Sequence, residues 1–134
     1  MVPGRRVLEV GAGTGIATAA FVACGMAVTC VEPDPQMAAV LVAKLAGLAD
    51  VHVDVATFEE WSAKRPADAP GFDALISAQA WHWTDPATRW GHAGAAVRGG
   101  GVIALFWNED HYTDPRVRDA YTAASDRRGI QVRG

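Results

Sequence analysis

Glu9-Val10-Gly11-Ala12-Gly13-Thr14-Gly15 places a carboxylate and three alternating glycines directly after the apolar run that ends at Val10. A strand that turns through glycines into a helix lets a ligand approach backbone N–H groups that any Cβ would shield. A dinucleotide turn needs G-x-G-x-x-G to seat a pyrophosphate on the helix N-terminus, and counting from Gly11 the last position is Ile16. Hydride chemistry on a nicotinamide loses ground for that reason. Twenty-one residues after Gly11 comes Glu32, at the end of a second apolar run. A carboxylate there accepts two hydrogen bonds from a ribose diol. Each signal alone has a plainer reading, a glycine turn that only closes a β-α corner or a solvated strand-end glutamate. In conjunction they point to a nucleoside-containing cofactor. Farther along, Trp81-His82-Trp83 sets an imidazole between two indoles, and Asn108-Glu109-Asp110-His111 offers hard oxygen donors with one imidazole. Neighbouring loop residues rarely converge on one ion, so the latter reads as a solvated polar turn and no metal is expected.

The elements that must position these groups are legible as alternating runs. Segments Arg6 to Val10, Ala27 to Val31, Val51 to Val55, Phe72 to Ala78 and Val102 to Trp107 read as strands. Apolar residues run together in the first, second and fifth, as expected of parallel strands covered on both faces. Between them, Met37, Val40, Leu41, Leu45 and Leu48 form one helical stripe, and Trp90, Ala93, Ala96 and Val97 another. Asp34-Pro35, Asp85-Pro86 and Asp114-Pro115 each set a capping carboxylate before a first-turn proline, which predicts three helix starts. Gly99-Gly100-Gly101 is expected to end the Trp90 helix. With right-handed crossovers the pattern gives an α/β, doubly wound, Rossmann-like parallel sheet of order 3-2-1-4-5. Its last strand would leave an apolar edge, through which self-association is expected.

The chain has 134 residues, half of them apolar and a fifth charged, with a formal net charge of −3. This is one domain at most, and too apolar to be disordered. No apolar run reaches the roughly 20 residues of a membrane span, and no signal-type segment opens the sequence, so a cytoplasmic protein without membrane partners is expected. Cys24 and Cys30 read as buried, reduced thiols. Basic residues are scattered apart from Arg127, Arg128 and Arg133, which leaves no stripe for nucleic acid.

The sequence resembles the class I S-adenosylmethionine-dependent methyltransferases, in particular the small-molecule branch with an Ala-Gln-Ala-aromatic-His-Trp loop. Here that loop is Ser77-Ala78-Gln79-Ala80-Trp81-His82-Trp83-Thr84-Asp85-Pro86. The glycine motif, Glu32, Phe58-Glu59-Glu60-Trp61 and Arg98-Gly99-Gly100-Gly101 before Ala104-Leu105-Phe106-Trp107-Asn108 carry the same resemblance in order. It implies that Gly11, Ala12 and Gly13 lie against the methionine part of S-adenosylmethionine, that Glu9 helps position its amine, and that Glu32 holds the ribose hydroxyls. Pro33, Met37, Thr57 and Phe58 would flank the adenine, with Ala78 at the end of the fourth strand also on the cofactor side. Family members often carry Asp where this chain has Thr57, a weaker and neutral acceptor. The family's fold also continues with two further strands, so residues 1–134 are expected to be the cofactor core of a longer domain.

Methyl transfer is an in-line displacement for which alignment supplies much of the effect. No metal is needed. Should the acceptor be a hydroxyl or a protonated amine, His82 is the candidate base, its other reading being a structural loop anchor. Trp81 and Trp83 offer π faces to the sulfonium; packing on the Trp90 helix is the competing role and is favoured for Trp83. The expected partner is a small-molecule methyl acceptor. The alternatives are a non-catalytic cofactor-binding or interaction module and, less favoured, an NAD(P)-dependent oxidoreductase.

Overall fold

A computed structural model describes residues 4–48, 50–78, 80–106 and 115–116. Five strands, β1 (Arg6–Val10), β2 (Ala27–Val31), β3 (Val51–Asp54), β4 (Phe72–Ala78) and β5 (Val97–Phe106), form one parallel sheet in the order β3-β2-β1-β4-β5. Helices α1 (Ile16–Ala23), α2 (Pro35–Lys44), α3 (Phe58–Lys64) and α4 (Arg89–Ala96) make the crossovers. The expected class and strand order are the observed ones.

Side chains alternate along each strand, so successive residues of β1 feed opposite cores. Val7 joins Val28, Cys30, Leu41, Leu45 and Ile76, with Ala19, Phe21 and Val22 of α1 packed against them. Leu8 and Val10 join Phe58, Leu75, Trp81, Ala93 and Ala96 under α3 and α4. Both faces are therefore covered at β1 and β2, which explains their closely spaced apolar residues, whereas β5 departs from the expectation, with Val102, Ile103 and Phe106 exposed.

Several local expectations are corrected. Of the predicted α2 stripe Leu41 and Leu45 are buried as expected, whereas Met37, Val40 and Leu48 are exposed and Ala38 is buried with the two leucines instead. Ala38 is too small to weigh in a hydropathy pattern, yet its size lets the helix lie close to the sheet. Asp34 does cap α2, accepting from Gln36 N at 2.8 Å and Met37 N at 3.4 Å. Asp85 does not cap α4. Its Oδ1 accepts from Ala87 N, and its carbonyl accepts from Thr88 N and Arg89 N, so Asp85 closes a preceding turn and α4 begins at Arg89. The triple glycine does not stop that helix, because Val97 is already extended and paired with Phe72. Gly99–Gly101 instead form an irregularity inside β5, where Val97 to Val102 stand opposite Phe72 to Ala74. β3 ends at Asp54, one residue early, with Val55 exposed. Cys24 is exposed and only Cys30 buried. The Asp114 cap, residues 108–111 and the arginines at 127, 128 and 133 lie outside the described residues.

The opposite end of the sheet is tied by Asp73. Its Oδ2 accepts from Arg6 N at 2.8 Å, and its Oδ1 accepts from Arg98 Nε at 2.5 Å and Arg5 at 3.4 Å. The Arg6 N–H, then the Arg98 bond, hold this carboxyl down at about 2. A carboxyl depressed in the folded state stabilises fully above its unfolded value near 4 and loses that contribution as pH falls toward 2. Thermal melts followed by circular dichroism should therefore drop steeply between about pH 4 and 2. Asp73→Asn should start lower at neutral pH and lose less across that window.

Candidate cofactor site

A parallel sheet delivers the carboxyl ends of β1, β2 and β4 to one edge, and the register places Val10 beside Val31 and Glu9 beside Ile76. The glycine turn closes over that edge. Gly11 N donates to Val31 O at 2.8 Å, which ties the turn to β2, and Gly15 N donates to Ala12 O at 3.1 Å. Gly11 has φ +73°, and a Cβ there would collide with Ala80 Cβ, so the turn and the loop after β4 pack backbone to side chain. Gly13 differs: its φ is +59°, but a Cβ would meet nothing within 4 Å. Its Cα borders open space.

Glu32 bridges that space. It is 5% exposed, with Oε2 accepting from Gly13 N at 2.8 Å and Oε1 from Asp34 N at 3.2 Å. The carboxylate thus faces the turn across the β1–β2 crevice, where the sequence placed a ribose-binding acid. Glu9 goes the other way. It is 1% exposed and its Oε2 accepts from Thr18 Oγ1 at 2.5 Å, with Cys30 Sγ 3.9 Å from the same hydroxyl. Desolvation first, reinforced by Glu32 and opposed by the Thr18 bond, pushes the Glu9 carboxyl up to about 7. Desolvation likewise pushes the Cys30 thiol up to about 12, which leaves it chemically inert.

The other sequence-predicted residues divide by exposure. Pro33 and Met37 are exposed beside Glu32 in the chain, Ala12 is buried, and Ala78 is half-buried at the end of β4. Thr57 is the N-cap of α3: its Oγ1 accepts from Glu60 N at 3.1 Å, and Glu60 Oε2 accepts from Thr57 N at 3.4 Å. Its hydroxyl keeps a proton to donate. The Phe58 ring is 3% exposed and packs on Trp61, Trp81 and His92 at centroid distances of 6.2, 5.9 and 5.9 Å. It presents core contacts, not a free face beside a cofactor.

Trp81–Trp83 form a single 3-10 turn after β4. Here the expected roles of the indoles are exchanged. Trp81 is buried and stacks edgewise on Trp90 at 5.3 Å, whereas Trp83 is 81% exposed and touches His82 at 4.9 Å. His82 itself is exposed. Glu59 Oε1 accepts from Asp85 N at 2.6 Å and pins the far end of this loop to α3. Sequence reasoning missed Thr18 and Ser77, whose Oγ donates to Val10 O at 2.8 Å and joins β4 to the last residue before the turn. Thr18 left one signal, as the only polar residue in α1.

The methyltransferase-domain family matches residues 8–103, a span that runs from β1 into β5. The chain belongs to that family. An uncharacterized methyltransferase of Mycobacterium tuberculosis is 41% identical over 104 residues, covering 78% of this chain and 40% of that protein. The chain therefore spans less than half the length of the curated relatives it matches. Among solved structures, an S-adenosylmethionine-dependent methyltransferase of Mesorhizobium loti superposes with a TM-score of 0.66 at 21% identity, over 78% of this chain and 47% of its own. Phosphoethanolamine N-methyltransferase 2 of Haemonchus contortus, in complex with phosphomonomethylethanolamine and S-adenosylhomocysteine, gives 0.67 at 22% identity, over 100% of this chain and 31% of its own. At that identity the likeness is one of fold. Among the described residues no helix is long and apolar enough to cross a membrane.

Proposed function

We propose that residues 1–134 form the cofactor-binding core of a longer S-adenosylmethionine-dependent methyltransferase that acts on a small-molecule acceptor. One observation carries this reading: Glu32 reaches across the crevice to Gly13 N, at a point where the turn leaves open space beside its backbone. A ribose diol would take up the Glu32 oxygens, freeing the Gly13 N–H, and the Gly11-Ala12-Gly13 turn would border the methionine portion. Pro33, Met37 and the donating hydroxyl of Thr57 are assigned to the adenine, with the Phe58 ring as support beneath them. The bound cofactor supplies a methyl carbon activated by a sulfonium leaving group. The protein's share is alignment and exclusion of water, of order 7–11 kcal/mol where positioning is ideal.

His82 accepts the proton when the acceptor is a hydroxyl or an ammonium, because an imidazole nitrogen can serve as a general base and this one is exposed on the loop after β4. The small-molecule acceptor is supported by the Haemonchus relative's bound phosphomonomethylethanolamine. The exposed Val102, Ile103 and Phe106 of β5 are the surface assigned to self-association.

Isothermal calorimetry of the full chain with S-adenosylhomocysteine, and NADH as control, tests the cofactor reading. Micromolar binding of the first and none of the second is expected. Glu32→Ala should weaken binding by roughly 1.5–3 kcal/mol, about 10- to 150-fold, since it removes charged hydrogen bonds. Equal affinity for NADH, or normal binding by the Glu32→Ala variant, would overturn the assignment.

A further inference from the structure

Glu9 lies two residues before the glycine turn, wholly buried, and no cation balances it among the described residues. On its own strand its neighbours are Leu8 and Val10; α1 offers it Thr18, β2 offers Cys30, and β4 brings Ile76 alongside and Ser77 next to it. All of these are uncharged groups as placed. Among the described residues the charged side chain that acts on Glu9 is Glu32, which is also acidic. The two carboxyls are not equivalent. Glu32 accepts from two backbone N–H groups, whereas Glu9 has a single hydroxyl donor, Thr18. A buried carboxylate so poorly compensated is costly, and the cheaper state is the neutral acid. The rise of its pKa to about 7 agrees with that geometry. Meanwhile Glu32 links the turn to this buried acid, since it accepts from Gly13 N and its charge acts on Glu9.

We propose that Glu9 holds a proton in the free protein and releases it to solvent when a cationic cofactor seats on the glycine turn, so that Glu9 discriminates ligands by charge. This rests on the S-adenosylmethionine reading above and deepens it. The bond broken is the Glu9 O–H bond; its proton passes to the buffer and the electron pair stays on the carboxylate, whose charge offsets that of the sulfonium. S-adenosylhomocysteine lacks the sulfonium charge, so Glu9 regains its proton in the product complex, and product is exchanged for substrate more readily.

Proton counting tests this. The full chain is titrated calorimetrically with S-adenosylmethionine and with S-adenosylhomocysteine, in two buffers of different ionisation enthalpy, at about pH 6 and about pH 8. With S-adenosylmethionine close to one proton should leave at the lower pH and close to none at the higher, with affinity about tenfold greater at the higher. The homocysteine ligand should release less and change less. Glu9→Gln should remove the difference between the two pH values. Thr18→Val keeps the acid but deletes its donor, and should move the midpoint of release upward. Infrared difference spectra of the unmodified chain should lose a protonated-carboxyl band on adding S-adenosylmethionine. Buffer-independent heats at the lower pH, or an unchanged proton count in Glu9→Gln, would overturn the proposal and leave the cofactor assignment standing. No heat with either ligand would remove that assignment, and this proposal with it.

Discussion

Gly13→Val is expected to abolish binding of S-adenosylhomocysteine while the chain stays folded. Gly13 sits at φ +59°, where a Cβ costs about 1–2 kcal/mol through contact with the following carbonyl. The new Cβ itself would meet no other protein atom within 4 Å, its chain neighbours aside. The strain is therefore tolerable for a domain stabilised by roughly 5–15 kcal/mol. The same emptiness makes the substitution disabling, since the isopropyl group enters the space assigned to the cofactor and crowds the N–H that now bonds Glu32. Gly11 supplies the contrast. A side chain there runs into Ala80, so Gly11→Val should damage the fold itself by forcing the loop after β4 outward. Calorimetry and urea denaturation together separate the two results. A Gly13→Val chain that still binds at the original affinity would show that the turn only closes a β-α corner.

That contrast also marks what the sequence makes legible. The spacing from Glu9 to Gly15 and the position of Glu32 predict a turn and an acid at one edge of the sheet, and both are there, joined by the Gly13–Glu32 bond. Strand order follows from alternation and crossover handedness, neither of which depends on side-chain detail. What sequence spacing does not carry is direction. The stripe on α2 holds at Leu41 and Leu45 and fails at Met37, because packing against the sheet chose Ala38 over Met37. Trp81 and Trp83 are two residues apart on a 3-10 turn, so burial of one turns the other outward, and composition cannot say which. The α4 boundary moved for a related reason: an Asp-Pro pair serves a turn as well as a cap, and here it serves the turn. Glu9 is the most instructive case. Its place in the motif suggests a residue that meets the ligand, whereas strand alternation sends it into the α1 face, where Thr18 receives it.

Phe58 completes the argument about the adenine side, because its two roles predict opposite results. The ring is 3% exposed and lies within 6.2 Å of Trp61, Trp81 and His92, all part of the packing under α3 and α4. Truncating a buried aromatic to alanine costs about 3–5 kcal/mol, through lost transfer energy and the cavity left behind. Ring contacts add roughly 0.5–1.5 kcal/mol for each well-placed pair. Phe58→Ala should thus lower the urea midpoint sharply, since that loss is a large fraction of a domain's stability. Its effect extends to the site, because Trp81 begins the turn that carries His82, and Glu59, the next residue, holds Asp85. Phe58→Leu is the informative companion: it keeps most of the apolar volume, stays folded, and removes any aromatic face. If the ring only supports the adenine pocket from below, the leucine variant should bind S-adenosylhomocysteine within about twofold of the original, well under the tenfold that 1.4 kcal/mol represents. A tenfold or greater loss of affinity in a chain whose stability has fallen only slightly would return Phe58 to direct contact with the cofactor, and would require α3 to shift its first turn when ligand binds.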